Sequence, residues 1–387
     1  MANRSLCKVI INGRDITSRL GGRLISIDIT DNEGTHNDTC SITIDDADGV
    51  IVLPKTGDKV QVELARDDEP FGSAFEGTID EVGSSCGRGQ GRILYINAKG
   101  MDTQGKAKEN QQTSIENATV KEALEKAGKA AGVTSIKVDK SFEKIKREWW
   151  GLNDESFIHF GERVAREVGG IFKIRGNTAI LAAKTGGSPS GEEMPTINAR
   201  WGVNLINWDI KPKMGRNRYR EVKARWYDPQ EAKWKEQKAQ VRGDTEGVIA
   251  GMTTRYSRAD DKEAEGDAGD KAMESEKQSG GGSIEVDGTA SAKPGGKVNL
   301  IGARPGIDGE YRIKTVNHSY SRSGWTTKLD VQQPQGEAGK DTRKPENKGG
   351  GKSSGTGGTS GGVNAGGGSG GGWNAGGGSG GGWNAGG

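Results

Sequence analysis

The stretch Lys293–Val331, KPGGKVNLIGARPGIDGEYRIKTVNHSYSRSGWTTKLDV, decides the fold. Val298, Leu300 and Ile301 form a short apolar run, Tyr311, Ile313 and Val316 a second, and Leu329 and Val331 lie in a third. Between the first two stands Pro305-Gly306-Ile307-Asp308-Gly309. Its proline presets φ and its glycines admit φ > 0, so the chain turns there. Asp308-Gly309 and Ser323-Gly324 are hairpin signals, because glycine takes the conformations that right-twisted strand pairs need. The residues predict a β-meander.

An echo of this stretch lies far upstream. At a constant offset of 238, Gly57 matches Gly295, Lys59 Lys297, Val60 Val298, Ala65 Ala303 and Arg66 Arg304, with Val62 against Leu300. The echo predicts two related β-domains, one near each end of the folded region. Residues 1–104 read as all-β: six short runs rich in Val, Ile or aromatics are broken by Asn12-Gly13, Asn32–Gly34, Asp48-Gly49 and Cys86–Gly91, a spacing that fits a small barrel or sandwich. Residues 105–200 read as an α+β module. Thr119 with Glu122 forms a capping-box spacing ahead of Val120, Leu124, Ala127 and Ala131 on one helical face. A second helix is expected from near Asp154, with Phe157, Phe160, Val164 and Val168 on one face and Gly169-Gly170 as its stop. Ile171–Arg175 and Thr178–Leu181 then make a hairpin around Gly176-Asn177.

Residues 201–335 return to β, with a polar helix inserted at about 257–279 whose Ala264, Ala268 and Ala272, four apart, predict a thin packing face. Residues 336–387 form a Gly/Ser-rich tail in which Asn-Ala-Gly-Gly recurs every ten residues from Asn364, led by Val363, Trp373 and Trp383. Such a segment buries too little apolar surface to offset its ordering entropy, so a disordered tail is expected. The fold class is therefore mainly β, α+β overall, with two related β-domains flanking a small α+β module.

Charge narrows the function. Lys plus Arg number 55 against 53 Asp plus Glu, which gives no net attraction to nucleic acid or anionic membrane. The N-terminus lacks an apolar stretch of signal-peptide length, and no eighteen consecutive residues are apolar, so a soluble chain made in the cytoplasm is expected. Cys7, Cys40 and Cys86 are odd in number and match no zinc or redox spacing, so reduced cysteines in strands are expected rather than a disulfide.

The wording of the meander, G-x-R-P-G-I-D-G-x-Y-R-I followed by G-W-T-T, resembles the late control protein D family. Those are tail hub proteins of contractile phages, related to the hub portion of the type VI secretion spike. Val9–Ile16, Asp45–Pro54 with Gly57-Asp58, Asn153–Gly169 and Arg218–Tyr227 resemble further pieces of that family, in its order, over roughly residues 1–335. The resemblance implies two tube-like barrels per chain, so that a homotrimer presents six and joins a sixfold tail tube to a threefold central spike. A closed ring of this kind needs heterologous contacts. Also implied are a place in the virion baseplate after assembly in the bacterial cytoplasm, and contacts with tube, spike, tape-measure and baseplate wedge proteins. DNA would meet the chain only by passing through the lumen. The glycine-rich repeats have no counterpart in the family motif.

No HExxH or P-loop pattern is present, and no catalytic residue, cofactor or metal ligand is assigned. His36, His159 and His318 are far apart in sequence; His159 reads as structural, and a Cys86–His318 pair is geometrically open with nothing specific behind it. Asp45-Asp46, Asp67-Asp68 and Asp260-Asp261 carry the alternative of a cell-wall hydrolase, yet sit where turns and helix starts favour Asp. The basic-aromatic stretch Lys211–Lys238 reads first as a ribbon with one solvated face. Its Trp226, Tyr227 and Trp234 also allow a partner anchor, or a saccharide or single-stranded nucleic-acid platform. Trp149, Trp150, Trp373 and Trp383 complete the candidate anchors.

Overall fold

Alternating burial builds the first part of the chain. The computed structural model describes residues 4–341 and 343, apart from 34–36, 68, 90, 102–104, 176, 184–193, 216–217, 243–246 and 259–260. The chain opens with β1 (Ser5–Ile11), β2 (Arg14–Asp15), a short helix α1 (Thr17–Leu20), β3 (Leu24–Asn32), β4 (Thr39–Asp45), β5 (Lys59–Arg66), β6 (Gly72–Gly87) and β7 (Gly91–Lys99). Asn12 (φ +48°) and Gly13 (φ +76°) make the turn between β1 and β2 that the Asn-Gly pair predicts. Every second residue, including Ile27 and Ile29 of β3, Ile42 and Ile44 of β4 and Val60, Val62 and Leu64 of β5, enters one core.

The middle segment comprises β8 (Asn110–Thr119), α2 (Val120–Ala130), β9 (Ser135–Val138), β10 (Lys146–Ser156), α3 (Phe157–Val168), β11 (Gly170–Arg175) and β12 (Thr178–Ala183). The expected capping box opens α2: Thr119 Oγ1 accepts from Glu122 N at 3.3 Å, and Glu122 Oε2 accepts from Thr119 N at 2.8 Å. The second helix starts later than Asp154, because that residue sits at φ +51° where β10 slips register against β8. Ser156 caps α3 instead. Phe157, Phe160 and Val164 join Leu124, Trp150 and Phe172 in a core separate from the first.

The last part holds β13 (Thr196–Arg200), β14 (Leu205–Lys211), β15 (Glu221–Asp228), β16 (Lys233–Gln240), β17 (Gly251–Thr253), α4 (Asp261–Lys277), β18 (Gly281–Asp287), β19 (Lys297–Ile301), β20 (Gly309–Ser321) and β21 (Gly324–Gln335). Helix α4 lays its alanine face, Ala264 and Ala268, on Ala224 of β15, as their spacing predicts. Gln335 does not end the packed chain, since Gly339 N donates to Gly306 O at 2.9 Å. The glycine-rich tail from residue 344 onward, expected from composition to be disordered, lies outside the described residues. No helix among the described residues is long and apolar enough to cross a membrane.

The fold is mainly β, but the described strands close no barrel. Thirteen of the described strands form one sheet, because the terminal parts share a seam: β3 pairs with β20 from Ser26↔Ser321 to Asn32↔Thr315. β13, which the sequence placed with the α+β module, pairs with β19. On either side of the seam six strands lie in the same order. The N-terminal set runs β1-β5-β6-β7-β4-β3 and the C-terminal set β13-β19-β20-β21-β18-β14; each set is the first, fourth, fifth, sixth, third and second of its strands along the chain. Registers agree as well. Gly57 N donates to Ile79 O and Gly295 N to Ile313 O, both at 2.8 Å. An extra residue bulges β6 between Ile79 and Glu81 against β7, and β20 between Ile313 and Thr315 against β21. Another lies between Leu24 and Ser26 of β3, and between Leu205 and Asn207 of β14. The echo at 238 thus falls on equivalent strands, β5 and β19. One difference stands: β1 runs antiparallel to β5, whereas β13 runs parallel to β19.

Candidate interaction surfaces

The residues that made the sequence recognisable are structural. Asp308 accepts from the backbone N–H groups of Gly302 (3.2 Å), Ala303 (2.8 Å) and Arg304 (3.0 Å), fastening the Arg-Pro-Gly turn in which Gly306 takes φ +83°. Tyr311 is fully buried, its hydroxyl donating to Ile307 O at 2.5 Å, and burial pushes its phenol up. His318 Nδ1 lies 3.0 Å from Thr327 Oγ1, with both side chains buried and the imidazole beside Trp325. Burial pushes the His318 imidazole down to about 4, so it is neutral.

Two partly buried ion clusters tie the parts together. Glu33 Oε1 meets Arg312 at 2.6 Å and Lys277 at 3.5 Å, and its Oε2 accepts from Gln332, linking the end of β3 to α4, β20 and β21. Lys173 of β11 reaches Asp31 at 2.8 Å, Asp38 at 2.6 Å and Asn32 O at 2.7 Å, fixing the α+β module to the sheet.

Among the described residues, the groups considered from sequence are not brought together into one site. His159 is exposed on α3, Cys86 is exposed on β6 and His318 is buried on β20; His36 lies outside the described residues. Cys7, Cys40 and Cys86 are free thiols, and burial pushes the first two up. Asp45 and Asp46 accept from Ala47 N and Ile51 N, which is turn capping, and Asp261 accepts from Gln237 at the start of α4. Asp68 and Asp260 lie outside the described residues. Among the described residues no cluster of His, Cys, Asp and Glu could hold a metal ion.

The candidate anchors divide. Trp150 is 1% exposed and its indole donates to Ala118 O at 2.9 Å, so it belongs to the core and is no anchor. Its neighbour Trp149, on the opposite face of β10, is 54% exposed. Trp226 packs towards α4 beneath Lys235, whereas Tyr227 and Trp234 pair edge-to-face across β15 and β16 on the solvent side, with ring centroids 5.4 Å apart. That face carries paired charges, Arg225 with Glu236 and Lys223 with Glu221, which weakens the case for a phosphate-binding platform. Trp373 and Trp383 lie outside the described residues.

Two surfaces were missed. Val50 (65% exposed), Val52 (89%) and Leu53 (55%) project from the loop between β4 and β5. Trp201, Val203 and Ile206 are exposed around the turn from β13 into β14, with Trp201 edge-on to Trp208. The signal was present, since an uninterrupted Val-Ile-Val-Leu-Pro and a Trp-Gly-Val place apolar residues where loops are normally polar.

No family model matches the chain. It is 28% identical over 234 residues to the probable baseplate hub protein of Escherichia phage 186, covering 60% of this chain and 58% of that one. It is 29% identical over 192 residues to the probable baseplate hub protein of Escherichia phage P2, covering 49% and 48%. The matches thus span about half the length of these relatives. Among solved structures, a tail protein from Neisseria meningitidis MC58 superposes with a TM-score of 0.63 at 16% identity, over 85% of this chain and 96% of that one. The 43 kDa tail protein of prophage MuSo2 from Shewanella oneidensis gives 0.61 at 13% identity, over 84% and 97%. An Escherichia coli type VI secretion component gives 0.51 at 12% identity, over 87% and 79%. In sequence the chain is similar to the probable baseplate hub proteins of Escherichia phages 186 and P2, and in fold it is similar to phage tail and type VI secretion proteins.

Proposed function

We propose that the chain works as a trimeric baseplate hub, joining a sixfold tail tube to a threefold central spike in a contractile phage or phage-like particle. The observation that carries this reading is the duplication of strand order, register and bulges on either side of the β3–β20 seam. A trimer of a twice-repeated unit offers six similar docking faces on one side and threefold symmetry on the other. In this reading each six-strand set is one segment of a tube wall, completed by its neighbours rather than by closure on itself. The relatives are named for a structural role, and the described residues assemble no catalytic site; the hub acts by geometry, with tape-measure protein and DNA passing through its lumen. Tube, spike and wedge proteins are its partners, and the virion is its location. Light scattering after size exclusion, with and without the spike, tests the adaptor. A trimer is expected, and a stable dimer or hexamer unchanged by the spike would sink it.

A further inference from the structure

The seam inside the chain shows what its two outer edges are built to meet. β20 changes partner along its length: Gly309–Arg312 pairs with β19, and Thr315–Ser321, beyond the bulge, pairs with β3. Its equivalent β6 repeats the first half only. Gly72–Thr78 pairs with β5, but along Glu81–Gly87 no described strand occupies the corresponding edge. In the other set, β14 corresponds to β3 and ends the sheet with its outer edge unpaired among the described strands. Burial reports the same vacancy. Ile27 and Ile29 of β3 and Val316 and His318 of β20 are at most 2% exposed, whereas their equivalents Trp208 and Ile210 are half-buried, Val82 is half-buried and Ser84 is exposed.

We infer that β14 of one protomer adds antiparallel to Gly83–Gly87 of β6 in a second copy of this chain, repeating between chains the seam that β3 and β20 make within one. The occupant is a second copy because the two edges are the halves of an interface already formed once in each molecule. The bulges fix the register. Ser321↔Ser26, Ser319↔Asp28 and Asn317↔Thr30 carry over to Gly87↔Asn207, Ser85↔Asp209 and Gly83↔Lys211. The ladder stops there because Pro212 has no N–H to donate. Two residues further the same register sets Glu81 opposite Lys213, a pair of opposite sign. The contact is heterologous, so it propagates until it closes. The repeat also places the exposed Val50–Leu53 loop against the neighbour's Arg304–Gly309 turn, because the equivalent loop after β18 already packs on the start of β6: Lys293 donates to Ser73 O at 2.8 Å.

The inference rests on the trimeric hub reading, and the test separates the two. Ser85→Cys and Asp209→Cys are introduced together in the full chain with Cys86→Ser, all at exposed positions, and the protein is mildly oxidised. Directly opposed residues of antiparallel strands lie within disulfide reach. Covalent dimer and trimer are expected on a non-reducing gel, and dimer alone when the Ser85→Cys and Asp209→Cys single variants are mixed. Ser85→Cys with Lys211→Cys, two residues out of register, is expected to link at least tenfold less. A trimer by light scattering with no in-register link overturns the strand pairing and leaves the hub standing. Absence of both trimer and link removes both, and equal linking in and out of register also overturns the pairing.

Discussion

His318 gives the molecule a pH dependence of definite sign. Its imidazole ionises at about 4 in the fold against an ordinary value of 6.5, because burial disfavours the charged form. Below pH 6.5 the unfolded chain takes up a proton that the folded chain refuses until about 4. Stability is therefore fully present above that window and falls as pH drops through it, by about 1.4 kcal/mol per unit. Urea unfolding at pH 7, 5.5 and 4.5 should show the decline, and His318→Asn should flatten it; an equally steep variant would place the effect elsewhere. The neighbouring tryptophans of β10 make a second contrast. Trp150→Ala removes a buried ring and leaves Ala118 O without its donor, so a loss of about 3–5 kcal/mol is expected, whereas Trp149→Ala should stay within about 0.5 kcal/mol. Equal losses in urea titrations would contradict the assignment of faces.

Helix α4 packs through alanines, and its stability follows from that thin face. Ala268 is 1% exposed against Ala224, so Ala268→Leu overfills the contact and is expected to cost about 1–3 kcal/mol. Faster hydrogen exchange confined to α4, β15 and β16 would show it, and unchanged exchange would mean the helix can lift without loss. This face was legible in the sequence, as were the Thr119 capping box, the Asn12-Gly13 turn and the equivalence of β5 and β19. All depend on neighbours in sequence, or on glycines at positive φ such as Gly57 (+90°) and Gly295 (+85°), whose reason for being glycine is local. The seam was not legible, because Ser26 and Ser321 are polar residues far apart in the chain and nothing in either strand names its partner. Nor could apolar content tell Trp149 from Trp150; only the phase of the strand does. Closed barrels were expected because strand count and spacing are the same for a barrel and for an open sheet, and only edge pairing separates them.

For the whole molecule, composition argues that the glycine-rich end is dispensable for folding. Deleting Gly349–Gly387 is expected to leave the thermal midpoint and oligomeric state unchanged, because those residues offer little apolar area to bury. Assembly is a different matter: two tethered tryptophans bind far better than one, so Trp373→Ser with Trp383→Ser should reduce incorporation into particles. Normal incorporation would make the segment a spacer. Peptidoglycan zymograms of the purified chain should show no clearing; clearing abolished by a single His159→Ala or His318→Ala change would reveal an unrecognised catalytic group. The shared strand also has a mechanical meaning. Since β20 is bonded to β19 along its first part and to β3 along its second, a load parallel to the strand is carried in shear by all seven rungs from Thr315 to Ser321 at once. A ladder loaded that way has no end from which to unzip. The two halves should therefore resist axial tension far better than transverse peeling, and an optical-trap experiment pulling in the two directions would measure the difference as unequal rupture forces.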